Sequence, residues 1–225
     1  MKKYFGSLLL LSLAASTTLS AELVKTYFKE GELKAETNYI DGTNTPTQVG
    51  IKNGVEKVYY QMGQLAYVVN YVNNKRDGKL TWYDKYGRLL ADMYYKMGEL
   101  QGMEKSYYPN GQVKHSVNYI FDKKEGMQKE FYNDGKLALK VNYIHNKKEG
   151  MQKEYTEDGR LYSDVFYKNN YKEGNQNWYN AKGAIINTIF YKMDRPVKVM
   201  KEVEKANHPV KLDIKGVDFS PQKPR

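Results

Sequence analysis

Between Leu89 and Tyr95 apolar side chains fall on every second residue: Leu89, Ala91, Met93 and Tyr95. Side chains two apart share one face of a strand, whereas a helix needs spacings of three and four. Abundant β-branched and aromatic residues, with glycine twice in every 24 residues, also disfavour helix. The segment reads as the return strand of a hairpin. Residues 102–125 show the whole unit: a strand over Met103–Tyr108, a turn at Pro109-Asn110-Gly111, a return strand over Val113–Tyr119, and a second turn over Phe121–Glu125. Glycine after Asn or Asp, as in Asn110-Gly111, Asp134-Gly135 and Asp158-Gly159, suits a turn whose last residue has positive φ. Polar runs such as Asn-Lys-Lys-Glu-Gly suit a second tight connection at the other end of each unit.

This unit recurs. Gly54, Gly78, Gly102, Gly126, Gly150 and Gly174 stand 24 residues apart, and Gly63, Gly87, Gly111, Gly135, Gly159 and Gly183 repeat the period nine residues later. Between the two series lie Tyr59, Tyr83, Tyr107, Phe131, Tyr155 and Tyr179. An aliphatic follows each second glycine by two residues (Leu65, Leu89, Val113, Leu137, Leu161, Ile185), and a tyrosine closes each unit at Tyr71, Tyr95, Tyr119, Tyr143, Tyr167 and Tyr191. An earlier copy at Tyr27, Gly31, Leu33 and Tyr39 is offset by an insertion loop within 41–53. Seven hairpins give about fourteen strands, which at roughly 4.8 Å per strand extend on the order of 65 Å. A lone hairpin is marginal in water, so stability must come from stacking on neighbours. The expected fold is all-β: an elongated single-layer antiparallel β-meander of tandem 24-residue hairpins, ending in a short C-terminal helix over Val199–Ala206 or an extended tail.

The spacing aromatic-x-x-x-Gly-x-Leu, then Tyr, then Gly, as in the run from Gly126 to Leu137, resembles the MORN-variant repeat, a family also labelled antitoxin-like in bacteria. The resemblance covers residues 22 to about 197. It implies a twisted, groove-bearing meander used for protein or membrane contact, with no catalytic residues. Toxin neutralisation belongs to the cytoplasm and is not carried over to a chain expected to be exported.

Composition changes the picture in three ways. Lys2 and Lys3 precede an apolar run from Leu8 to Ala15, too short to span a membrane, which needs roughly 20 residues. The pattern predicts a signal peptide over 1–21, cut after Ala21, with 14–16 as a second choice. A repeat array over 22–197 and a C-terminal cap or tail over 198–225 follow. The location expected is exported: periplasm, cell envelope or medium. Cysteine is absent, which removes thiolate and disulfide chemistry. Mean hydropathy is -0.78, yet tyrosine occurs 22 times, suiting a thin, partly wet sheet. The net charge is +10, and +8 without the leader's two lysines, which favours acidic partners or anionic surfaces.

Candidate contact residues follow from the repeat. Lys57, Lys105, Lys129 and Lys153 share the slot three residues after the first glycine, as a cationic stripe or a solvated edge guard. Trp82 and Trp178 share another slot. Glu130 and Glu154 occupy equivalent positions about 10 Å apart and read as surface residues beside Lys129 and Lys153. His115, His145 and His208 share no slot, so no metal site is expected, and no cofactor motif occurs. The chain is expected to be a non-catalytic scaffold that holds another protein on its sheet surface. The alternative is cationic adhesion to anionic lipid or envelope polymer. Sugar binding through exposed aromatics ranks lower, and export argues against nucleic acid.

Overall fold

A computed structural model describes residues 21–45 and 48–201 and shows, among them, one antiparallel sheet of 19 strands with no helix. Four strands are two-residue fragments beside turns; the other fifteen run for six to nine residues. Each pairs with the strands before and after it in sequence, so the sheet is an open meander. The seven expected hairpins are present, and one further strand follows. That strand, Arg195–Lys201, pairs with Ile185–Lys192. The sheet therefore continues past residue 197, and Val199–Lys201 are extended where the start of a helix was expected. Pairing Val199 with Ile189 buries both, a gain that a free helix at the sheet's end would forgo. The rest of that expected helix, and residues 1–20 of the expected signal peptide, lie outside the described residues.

Two turn chemistries set the period. At one end a three-residue connection ends in a positive-φ glycine. The Tyr108 amide donates to the Gln112 carbonyl (2.8 Å) and the Gly111 amide to the Tyr108 carbonyl (2.9 Å). The register shifts there by one residue, as between Val113 and His115, which is the bulge such loops carry. At the other end two successive residues have positive φ: Asn73-Asn74, Met97-Gly98, Phe121-Asp122, His145-Asn146, Asn169-Asn170 and Met193-Asp194. This is the type I′ turn whose twist matches that of paired strands.

The second turn also stitches each repeat to the one before. The Asn146 amide donates to the Lys124 carbonyl (3.0 Å) while its Oδ1 accepts from the Lys124 amide (2.6 Å). Asn170 clasps Lys148 and Asp194 clasps Lys172 in the same way. The carboxylates of Glu125, Glu149 and Glu173 accept the amides of His145, Asn169 and Met193. The Asn-Lys-Lys-Glu-Gly run is thus an inter-repeat clasp in which Asn tolerates the left-handed conformation and mimics a strand partner.

The core is a single cross-strand row. Val69, Leu80, Val117, Val141 and Val165 are 0–2% exposed. Register places Gln128 opposite Val141 and Gln152 opposite Val165, and those glutamines are also buried. In one layer, such burial needs the side chains of that face, the curled face, to cover one another; on the opposite face Asp92, Asp164 and Thr188 are buried as well. The inserted loop extends the first connection: the Ile40 amide donates to the Ile51 carbonyl (2.9 Å). Strand resumes at Lys52, so the insertion ends at 51, two residues short of the expected 53. Gly50 fits because a Cβ there would stand 2.6 Å from Asn44 Cβ and Tyr39 Cδ1.

Candidate functional site: two faces of one sheet

Alternation sends the core row, the closing tyrosines and the slot of Trp82 to one face. Lysines of the 57/105/129/153 slot go to the other. The six contact residues expected from sequence are therefore split between faces, and the tryptophans cannot share a surface with the lysines. Trp178 packs against Ile189, Tyr191 and Val199. Trp82 is 44% exposed and tilts against Tyr67, with ring centroids 6.4 Å apart.

The curled face carries a ladder of tyrosines and cations. Register sets Tyr71 opposite Arg76, Tyr119 opposite Lys124, Tyr143 opposite Lys148 and Tyr167 opposite Lys172. Each cation also lies over the tyrosine of its own hairpin: Lys52 on Tyr71 (4.9 Å to the centroid), Arg76 on Tyr95 (5.2 Å), Lys124 on Tyr143 (5.0 Å), Lys148 on Tyr167 (4.7 Å) and Lys172 on Tyr191 (4.8 Å). Ring quadrupoles attract such cations. The ammoniums donate onward, Lys124 to Gln128 Oε1 (2.8 Å) and Lys148 to Gln152 Oε1 (2.8 Å). Gln128 and Gln152 then donate to Glu130 (3.1 Å) and Glu154 (2.9 Å). Desolvation lowers the pKa of Lys148 and Lys172, and pushes those of Tyr67, Tyr119 and Tyr167 up to about 12. The buried polar side chains of this face are hydrogen-bonded, except that Asn187 Oδ1 is buried without a partner.

A cleft of about 860 Å³ opens on it, lined by Glu130, Tyr132, Leu139, Glu154, Arg160 and Tyr162, among others. Glu130 and Glu154 both oppose Leu139 in register, so the equivalence read from sequence becomes a shared wall. Both carboxylates are held by hydrogen bonds, Glu154 from Ser163 as well (3.1 Å). His115 pairs with Glu130 in register, and desolvation lowers its pKa. His145 sits in a turn. No cluster of His, Cys, Asp or Glu fit for a metal occurs among the described residues.

The open face differs. Register reads Asp92, Lys105, Ser116, Lys129, Lys140, Lys153, Asp164 across six adjacent pairings. Among the described residues, none of the side chains from Lys105 to Lys153 has a hydrogen-bond or ion-pair partner. The bounding carboxylates are committed elsewhere. Asp92 accepts from Lys79 (3.0 Å) and the Tyr107 hydroxyl (2.9 Å). Asp164 accepts from Asn177 (2.9 Å) and Tyr179 (2.8 Å). Lys57, by contrast, faces Glu36 in register, beyond Asp92 on the N-terminal side. Two residues along each strand from the lysines stand Met103, Met127 and Met151, each about 40% exposed. Lys140 is the member that the slot-by-slot reading missed. It lies on a return strand, and only pairing brings it between Lys129 and Lys153.

Comparison with known proteins gives the class. The model of the MORN repeat variant matches residues 23–41, 52–73, 100–120, 124–145 and 148–169. Between residues 23 and 169 the chain is a MORN-variant repeat protein, as its meander and hairpin period require. The hairpins at Gly78–Lys96 and Tyr171–Lys192, outside the matched segments, keep the same glycine and turn geometry and carry the two tryptophans. No curated protein matches this chain. Among solved structures, it is similar to a mutant of S. aureus TarM in complex with Fondaparinux, alpha-GlcNAc-glycerol and UDP (TM-score 0.31, 8% identity). It is also similar to a second TarM structure (TM-score 0.30, 9% identity). Each match covers 43% of this chain and only 19% of TarM.

Proposed function

We propose that this chain is a non-catalytic scaffold outside the cytoplasm that holds another protein against its extended sheet. The observation that carries the reading is the run of partnerless side chains across five adjacent strands of the open face. Cations set directly opposite one another destabilise a sheet, so their retention is better explained by contact than by folding. The curled face supports the same reading by contrast, because its buried polar groups, Asn187 Oδ1 aside, already have partners. The leader pattern motivates export.

The test is capture from an envelope extract with the mature chain, beside an array lacking residues 126–149. Removing one full period preserves turn order and ladder register while shortening the surface. A protein retained by the full array and weakened by the deletion supports the scaffold. Substrate turnover that depends on Glu130 or Glu154 overturns it. The same lysines favour a second reading, adhesion to an anionic surface. Co-sedimentation with acidic vesicles across a salt series separates the two, since electrostatic adsorption falls with ionic strength.

A further inference from the structure

Resting on the scaffold reading, we propose that Lys105, Lys129, Lys140 and Lys153 form a dock for an acidic amphipathic helix of the partner protein, laid across the strands. Charge complementarity gives the sign. The lysines are partnerless and the nearest carboxylates in the row, Asp92 and Asp164, are occupied by other donors. Salt bridges from within the chain therefore do not compete for them.

Geometry selects a helix. Lys105 to Lys153 covers four strand spacings, about 19 Å. A helix spans that length in about 13 residues and advances about 5.4 Å per turn, close to the strand spacing of about 4.8 Å. Carboxylates at i, i+7, i+11 and i+14 then fall near Lys105, Lys129, Lys140 and Lys153, with position i+4 over Ser116. An extended strand presents same-side groups only every ~6.8 Å and drifts out of step. It would also find no ladder to join, because backbone groups in the middle of the array are already paired on both sides.

The flanking row supplies the second half of the match. Met127 and Met151 stand two residues before Lys129 and Lys153, roughly 7 Å along the strand. A helix about 10 Å wide covers both rows, placing its acidic stripe on lysine and its apolar stripe on methionine. Methionine's flexible thioether side chain adapts to varied apolar partners.

The experiment uses the mature chain and a fluorescein-labelled helical peptide of about 18 residues, with Glu at i, i+7, i+11 and i+14 and Leu alongside. A scrambled peptide of the same composition and a Lys-for-Glu peptide serve as controls. Fluorescence anisotropy should show binding of the acidic-stripe peptide alone. Affinity should fall at least tenfold in the Lys129→Gln, Lys140→Gln, Lys153→Gln triple variant, whose melting temperature confirms folding. Equal binding of the scrambled peptide overturns the proposal, as does an unchanged affinity in the triple variant. So does binding of phosphatidylglycerol vesicles, rather than peptide, that the triple variant abolishes. If the peptide fails while deletion of residues 126–149 still weakens protein capture, the helix dock falls and the scaffold stands. If capture fails too, both fall.

Discussion

The two faces of this sheet carry similar residue types and treat them in opposite ways. On the curled face, Lys124, Lys148 and Lys172 are half-buried, stacked on tyrosine and hydrogen-bonded to a glutamine four residues on. On the open face, Lys129, Lys140 and Lys153 stand in one cross-strand row between Ser116 and Asp164, with no hydrogen-bond or ion-pair partner among the described residues. A lysine in the first setting closes the fold; a lysine in the second is available to something else. Abundance of charge does not separate them, but commitment of the proton donors does.

The sharpest way to break this contrast is a pair of neighbours that point opposite ways. Val141→Asp puts an unpaired charge into the buried row and should cost about 3–5 kcal/mol, unfolding part of the array. Lys140→Asp, one residue away, should leave the unfolding free energy from urea titration within about 0.5 kcal/mol of wild type. Similar losses for both would remove the distinction between faces.

Next in size is the clasp that aligns the faces from repeat to repeat. Asn146→Ala removes the acceptor of the Lys124 amide and places alanine at φ 68. A loss of about 1–3 kcal/mol is expected in denaturant unfolding. Asn146→Asp should recover most of it, because Asp194 performs the same role at Lys172.

Alkaline titration sharpens the comparison with a smaller effect. Tyr67, Tyr107, Tyr119 and Tyr167 have pKa values pushed up to about 12, desolvation first among the causes. A raised folded value means that stability is full below the unfolded value of about 10 and is lost as pH rises through about 12. Lys148 and Lys172 act the other way. Their lowered values mean that burying the ammonium opposes folding, a penalty relieved as pH rises toward the unfolded value of about 10.4. Stability should hold or rise slightly up to about pH 10 and then fall, with the four tyrosines forming tyrosinate late by absorbance.

The smallest effect belongs to the open row. The Lys129→Gln, Lys140→Gln, Lys153→Gln variant should be as stable as wild type or more so by a few tenths of a kcal/mol. The gain should shrink with added salt, as screening predicts. Calorimetry at two ionic strengths checks it.

How much of this was legible in the chain depends on whether a feature lives within one slot or between strands. Hairpins, period and both turns are readable because glycines and closing tyrosines recur at fixed spacing. Lys57, Lys105, Lys129 and Lys153 are readable for the same reason. Lys140 is not, because its slot holds Val68, Asp92, Ser116 and Asp164 in other repeats, and its meaning comes from register. Lys124, Lys148 and Lys172 look like turn residues in Asn-Lys-Lys-Glu-Gly. Only the two-residue turn and the pairing after it carry their side chains under the tyrosines. Trp82 and Trp178 share a slot, yet one is capped by a following strand and the other is exposed. The extra strand Arg195–Lys201 has no glycine or tyrosine to announce it. It forms because Val199 can cover Ile189 at the sheet's end.

The central claim, that one face is sealed and the other available, can be measured with single thiols, since the chain contains no cysteine. Alkylation of Lys140→Cys and Val141→Cys under native conditions should differ by about tenfold or more, with the thiol at the half-buried position 140 the faster. Comparable rates at the two positions would contradict the account.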